Sequence, residues 1–308
     1  MILNDSNIQV SLISPYSNTL NLGLRIISAI LRNSGYKTQM IFLPSHSSDS
    51  ALNISPFSNI DYPETIIQQV VNITRDSSII GISLMDNYMQ VGIKLTQALK
   101  NKSNLVIWGG VLPSLNPEEA LQYADAVCIG EGEDAMLELV RKMNNSQDIN
   151  SIPNIWFKGK SRPEKKYISD VSSLPLPDYG PEGHFIYSEK EQIILSLETC
   201  DEDKYQDYLF EKHELPGVPG EMQTVYHIET TRGCPHNCTY CANNILKKII
   251  TPKVRWKSLD QIEDELNWVK KKFLLLELSV LKMTALFIEM TLLKLRKFLK
   301  NQGFLSAA

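Results

Sequence analysis

Two hydrophobic patterns alternate along the first 145 residues. Short, nearly unbroken apolar runs recur at 8–14 (IQVSLIS), 37–43, 78–84 (SIIGISL), 104–108 (NLVIW) and 126–129, and each predicts a strand. Between them apolar residues recur at helical spacing over 20–34, 63–75, 88–100, 117–123 and 134–143. In the first of these, Leu20, Leu24, Ile27, Ile30 and Leu31 share a face, and Gly35 marks the stop. In the fourth, Pro117 sits in the first turn with Glu118 and Glu119 near the positive helix end. Five strands alternating with five helices predict an α/β fold with a doubly wound, five-stranded parallel sheet. Ligands of such sheets bind beyond the carboxyl ends of the strands. Gly109, Gly110, Gly130 and Gly132 fall there. They serve either a close backbone approach to a ligand or tight turns.

The pattern then loses its regularity. Residues 150–184 read as a linker, whose LPLPDYGP stretch (174–181) predicts an extended strap, because proline disfavours helix. Residues 188–222 are highly charged and read as an insertion, with a short helix and a turn over DEDKYQDYLFEKHE (201–214) and PGVPG. A short strand is expected over 224–229, then a loop opened by Arg232-Gly233. Residues 258–273 predict a helix capped by Ser258, with Ile262, Leu266 and Val269 on one face and Lys270–Lys272 near its negative end. From 273 onward the chain is leucine-rich and lacks proline. The expected domains are 1–145, a linker and insertion over 146–222, and 223–308.

Composition narrows the class. Of 308 residues 43% are hydrophobic and 21% charged, which excludes a disordered chain. A net charge of −4 gives no support for a nucleic-acid partner. The first residues, MILNDSNIQV, read as the approach to a strand and not as a secretory leader, and no run of about 18 apolar residues predicts a membrane span. Cys234, Cys238 and Cys241 stand in a C-x3-C-x2-C spacing, which resembles a ligand set and not a disulfide framework, and fits a reducing cytoplasm. Cys128 lies in an apolar strand as a small hydrophobe, and Cys200 reads as an ordinary free thiol. His46, His213 and His227 read as solvated or structural.

Three thiolates on a tight loop suit zinc or an iron–sulfur cluster. A closed zinc site wants four ligands, and His236, inside the first gap, is an awkward fourth. The stretch T-R-G-C-P-x-x-C-x-x-C resembles the cluster loop of radical S-adenosylmethionine enzymes, with Tyr240 at the aromatic position before the last cysteine. That resemblance implies a [4Fe–4S] cluster on Cys234, Cys238 and Cys241, with S-adenosylmethionine on the open iron as the source of a radical.

A second resemblance covers the first half. The run W-G-G-V-x-P-S-x-N-P-E-E-A-L-x-Y-A-D-A-V-x-I-G-E-G-E, from Trp108 to Glu133, is similar to the flavodoxin-like cobalamin-binding domain that precedes many radical S-adenosylmethionine domains. It implies cofactor-binding roles for Ser83, Leu84, Gly109, Gly110, Pro113, Gly130, Glu131, Gly132 and Glu133, with Ser83, Leu84, Gly109 and Gly110 similar to the positions that hold the nucleotide tail. The family's D-x-H-x-x-G loop is absent: residues 14–23 read SPYSNTLNLG, so no histidine is expected on cobalt.

Together the resemblances imply a cobalamin-dependent radical S-adenosylmethionine protein transferring a methyl group to an unactivated centre. They imply a flavodoxin or ferredoxin as electron donor. Closure or oxidation of a tetrapyrrole-like substrate is the sister activity. A non-catalytic cofactor-binding fragment and a flavodoxin-like domain with a zinc knuckle are the other readings. A radical S-adenosylmethionine barrel needs about six βα units of roughly 30 residues each. The sequence after Cys241 holds too few, so a truncated, catalytically silent chain with an incomplete barrel is expected.

Overall fold

The computed structural model describes residues 8–16, 21–43, 62–101, 104–188, 190–201, 208–214 and 222–273. The expectations for His46, for the PGVPG turn and for the leucine-rich stretch after Phe273 lie outside the described residues.

The chain divides into two compact units. The first comprises 1–168, 175–200 and 237–251, and the second 169–174, 201–236 and 252–308. The first unit therefore does not end at 145. It takes in most of the expected linker and also the segment that carries Cys238 and Cys241.

Its core is a sheet. β1 (Gln9–Ser14), β2 (Lys37–Phe42), β3 (Ile79–Ser83), β4 (Leu105–Gly109) and β5 (Ala126–Cys128) are the five expected strands. They pair in parallel in the order β5-β4-β3-β1-β2. Every residue of β3 is buried, as suits a strand covered on both faces. α1 (Leu22–Asn33), α2 (Glu64–Thr74), α3 (Met89–Leu99), α5 (Pro117–Tyr123) and α6 (Glu133–Asn144) are the expected crossover helices. Ile66, Ile67 and Val70 of α2 and Val91 and Leu95 of α3 join Ile13, Ile80, Ile82 and Trp108 in one apolar cluster. Burying each such side chain contributes about 1.5–3 kcal/mol.

The sheet is larger than expected. It has eight strands, because β6 (Ile155–Phe157) adds antiparallel beside β5, β7 (His184–Ser188) adds parallel beside β2, and β8 (Ile193–Ser196) closes that edge antiparallel. All three come from the stretch read as linker and insertion. Their fixation is long-range. Asp178 of the proline-rich strap accepts from Ser28 at 2.6 Å and pairs with Arg32 at 2.8 Å, both on α1. Arg25, fully buried on α1, donates to the Asp178 carbonyl at 2.7 Å and to His184 Nε2 at 3.1 Å. Its guanidinium lies between the rings of Phe42 and Tyr179.

In the second unit β9 (Glu211–Glu214) and β10 (Met222–Val225) form a hairpin, so 211–214 is a strand and not part of a helix. The strand expected over 224–229 ends at Val225. A short ladder of β11 (Thr231–Arg232) with β12 (Arg255–Trp256) follows instead. The helix Leu259–Lys272 begins as expected, with the Ser258 side chain accepting from the Gln261 amide. Ile262, Leu266 and Val269 are buried, and so is Glu265, which accepts from Tyr226 Oη and from Lys257 Nζ at 2.8 Å each.

Candidate cofactor site

The carboxyl ends of β1, β3, β4 and β5 gather the loops that carry most of the sequence-expected site residues. Their geometry is set by backbone. The Leu84 amide donates to the Gly109 carbonyl at 2.8 Å, and Leu112 donates to the Leu84 carbonyl at 3.0 Å. Gly110 has φ +96°, and a Cβ there would lie 2.8 Å from the Leu84 carbonyl oxygen. Only glycine fits that position without strain. Its close approach is thus to the loop after β3.

The short helix α4 (Val111–Leu115), missed by periodicity because it is one turn long, contains the buried Pro113 and Ser114. Ser114 Oγ donates to the Gly110 carbonyl at 2.7 Å and accepts from the Gly130 amide at 2.9 Å. One hydroxyl therefore ties the two glycine loops together. Its only signal in the sequence is its place in the Trp108–Glu133 run.

The second glycine loop is held from behind. The Glu131 carboxylate accepts from the Ile168 amide at 2.7 Å, and its carbonyl accepts from Asn154 Nδ2 at 2.8 Å. Gly132 precedes α6, and Glu133 is buried in that helix's first turn. Beside them the Cys128 thiol is fully buried. Burial pushes it up to about 12, which keeps it protonated and inert.

The loop after β1 contributes what the resemblance did not supply. Tyr16 Oη lies 3.0 Å from Ser83 Oγ and accepts from Asn21 Nδ2 at 3.0 Å. The Tyr16 ring packs on Tyr88 with centroids 5.2 Å apart. Burial raises the phenol, so it stays neutral. The β1, β3 and β4 side of this edge is lined by neutral hydroxyl, amide and backbone groups. Such a set suits a large, amide-rimmed, neutral ligand such as cobalamin, and the residues present fit it.

The cysteine loop is differently built. Within the second unit Gly233 has φ +95°, and a Cβ there would lie 2.8 Å from the Lys253 carbonyl oxygen. Arg232 pairs with Glu229 at 3.0 Å, and Lys257 donates its amide to the Thr230 carbonyl at 2.9 Å. Cys234 follows directly. Cys238 and Cys241 belong to the first unit, where the Cys241 amide donates to the Cys238 carbonyl at 3.2 Å and the helix Asn243–Ile249 begins. All three thiols are half-buried, and Tyr240 is 91% exposed. A hydrogen bond with Cys238 raises the Tyr240 phenol. Among the described residues no three His, Cys, Asp or Glu side chains are grouped as a metal site. The donor set itself, three accessible thiols on one short loop, fits a soft-metal cluster.

The helix Asn243–Ile249 packs on α4. The next residue, Ile250, reaches to within 3.2 Å of where a Cβ on Gly130 would stand. The segment leaving Cys241 is thus seated against both glycine loops. Among the described residues no helix is long and apolar enough to cross a membrane.

Residues 8–140 match the B12 binding domain family. The chain is 24% identical over 237 residues to an uncharacterised methyltransferase of Pyrococcus horikoshii, covering 74% of this chain and 44% of the relative. It is 24% identical over 200 residues to an anaerobic magnesium-protoporphyrin IX monomethyl ester cyclase of Synechocystis, covering 63% and 34%. It superposes with a TM-score of 0.56 and 14% identity on the radical S-adenosylmethionine methyltransferase TsrM of Kitasatospora setae, whose structure holds cobalamin and a [4Fe–4S] cluster. That match covers 95% of this chain and 50% of TsrM. The chain spans less than half the length of these curated relatives. Residues 8–140 thus resemble a B12-binding domain, in a chain that shares its fold with the radical S-adenosylmethionine methyltransferase TsrM.

Proposed function

We propose that this chain holds cobalamin at the carboxyl edge of its sheet and a [4Fe–4S] cluster on Cys234, Cys238 and Cys241. We further propose that it serves S-adenosylmethionine-dependent methyl transfer to an unactivated carbon or phosphorus. The observation that carries this reading is the packing of the helix Asn243–Ile249 and Ile250 on α4 and Gly130. It puts the second half of the cysteine loop and the glycine loops in one compact unit. The likeness to the Pyrococcus methyltransferase and to TsrM supports methyl transfer. The cyclase relative supports chemistry on a tetrapyrrole-like substrate as the second reading.

When bound, the cluster would supply an electron to S-adenosylmethionine and cobalamin would supply a methyl carrier. The chain's own part is to bind and orient. Ser83, Leu84, Gly109, Gly110 and Pro113 shape the side of the cobalamin site formed by β3 and β4, and Gly130 to Glu133 shape the side formed by β5. The three cysteines would hold the cluster that S-adenosylmethionine binds, with Tyr240 beside Cys238. A flavodoxin or ferredoxin in a reducing cytoplasm is the matching electron source.

Anaerobic reconstitution of the 308-residue chain tests both cofactors at once. Iron should reach about four per chain with matching sulfide. Ala at Cys234, Cys238 or Cys241 should abolish that loading, while Cys128→Ala and Cys200→Ala should keep it. Hydroxocobalamin should stay with the chain through gel filtration in all five variants. Full loading of the Cys241 variant would overturn the cluster assignment, and a wild-type chain that releases all corrinoid would overturn the cobalamin assignment.

A further inference from the structure

The loop after β1 lacks a histidine, yet it is not chemically empty. Its polar side chains form a chain of hydrogen bonds whose direction follows from the donors. The Leu24 amide donates to Asn21 Oδ1 at 3.3 Å, which fixes the orientation of the side-chain amide. Asn21 Nδ2 can then only donate, and it donates to Tyr16 Oη at 3.0 Å. Because Asn21 Nδ2 can only donate, Ser83 Oγ at 3.0 Å is available to accept the Tyr16 O–H. With its oxygen accepting from Tyr16, the Ser83 hydroxyl is left to donate elsewhere, and glycine at 110 keeps space beside it, since a Cβ there would stand 3.2 Å from Ser83 Oγ.

Three contacts hold this chain in place. Ser14 Oγ donates to the Tyr16 carbonyl at 3.0 Å, Tyr62 Oη donates to the Pro15 carbonyl, and the Tyr16 ring rests on Tyr88. Burial keeps the Tyr16 phenol protonated, so it can donate at any ordinary pH.

We propose that Tyr16, oriented by Asn21, is a positioning residue that sets Ser83 as a hydrogen-bond donor to the nucleotide tail of cobalamin. The inference rests on the cobalamin reading above, in which the resemblance already implies Ser83 at the tail, and adds the residue that orients it. Tyr16 acts through Ser83.

Two corrinoids separate this role from a general effect on the fold. Hydroxocobalamin carries the nucleotide tail and cobinamide lacks it. The full chain and two variants are titrated with each, following the corrin absorption. Tyr16→Phe keeps the ring on Tyr88 and removes the hydroxyl. Asn21→Asp keeps the cap on Leu24 and cannot donate to Tyr16. Each variant should bind cobalamin about tenfold more weakly than wild type and cobinamide equally well. Unchanged cobalamin affinity in either variant, or an equal loss for both corrinoids, would overturn the proposal. A wild-type chain that binds neither corrinoid would overturn the cobalamin reading itself, and this inference with it.

Discussion

At the carboxyl edge of the sheet, loop meets loop through backbone: Gly110 against Leu84, and the Gly130 amide on the Ser114 hydroxyl. On the β1, β3 and β4 side its polar side chains, Tyr16, Asn21, Ser83 and Ser114, are neutral. In the second unit the fixed points are charged and lie deep. Lys257 and Glu265 pair at 2.8 Å with side chains 2% and 0% exposed, and Tyr226 completes the trio. Its loop toward Cys234 reaches the surface, and the Cys234 thiol remains half-buried. The contrast separates two ways of building a cofactor site. The sheet edge is shaped by packing before any ligand arrives. On the proposed cluster reading, the cysteine loop would take its final geometry from the metal, since binding and ordering are one process for such sites.

The strongest challenge to this contrast removes the buried charge. Glu265→Ala leaves Lys257 buried without its carboxylate and should cost about 3–5 kcal/mol. Urea unfolding followed by pulse proteolysis should show the loss in fragments from 201–236 and 252–273. Wild-type resistance in those fragments would mean that the apolar face of Ile262, Leu266 and Val269 anchors the unit by itself.

A smaller effect is expected at the sheet edge. Gly110→Val puts a branched side chain at φ +96° against the Leu84 carbonyl, a local strain of about 1–3 kcal/mol. Hydroxocobalamin retention should be lost, while iron loading on the cysteines stays near wild type. Loss of both together would show that the two sites are not built separately.

The smallest effect concerns pH. Burial, reinforced by Arg25, holds His184 well below its ordinary value, so the folded chain carries it neutral. The unfolded chain takes up a proton below about pH 6.5. Its contribution is therefore full above that value and is lost as pH falls through it. His184→Gln retains an acceptor for Arg25 and removes the titration, so its melting temperature should fall less than wild type between about pH 7 and about pH 5. Parallel curves for the two proteins would place the acid sensitivity elsewhere.

Much of the first unit was legible along the chain. Apolar runs located β1 to β5, and helical spacing located the five crossover helices, because each pattern reports a local geometry facing one core. The Trp108–Glu133 run located the glycine loops, and the C-x3-C-x2-C spacing located the thiols. The failures share a cause. The proline-rich strap gave no sign that β7 and β8 follow it into the sheet, since edge strands there are short and partly exposed. Helical spacing put Ile27 and Ile30 on the core face of α1, where the structure buries Arg25 and Ser28.

The sequence by itself determined the alternation of strand and helix, the parallel sheet it requires, and the residue types offered to cofactors. Tertiary structure decided what those residues touch. Arg25 is buried because Asp178 and His184, more than 150 positions away, meet it between two aromatic rings. Tyr16 bears on Ser83 because β1 and β3 are neighbours in the sheet, 67 positions apart in the chain. Periodicity reports which face of an element is buried. It carries no record of the distant partner that covers it, because that partner is chosen by packing across the sheet.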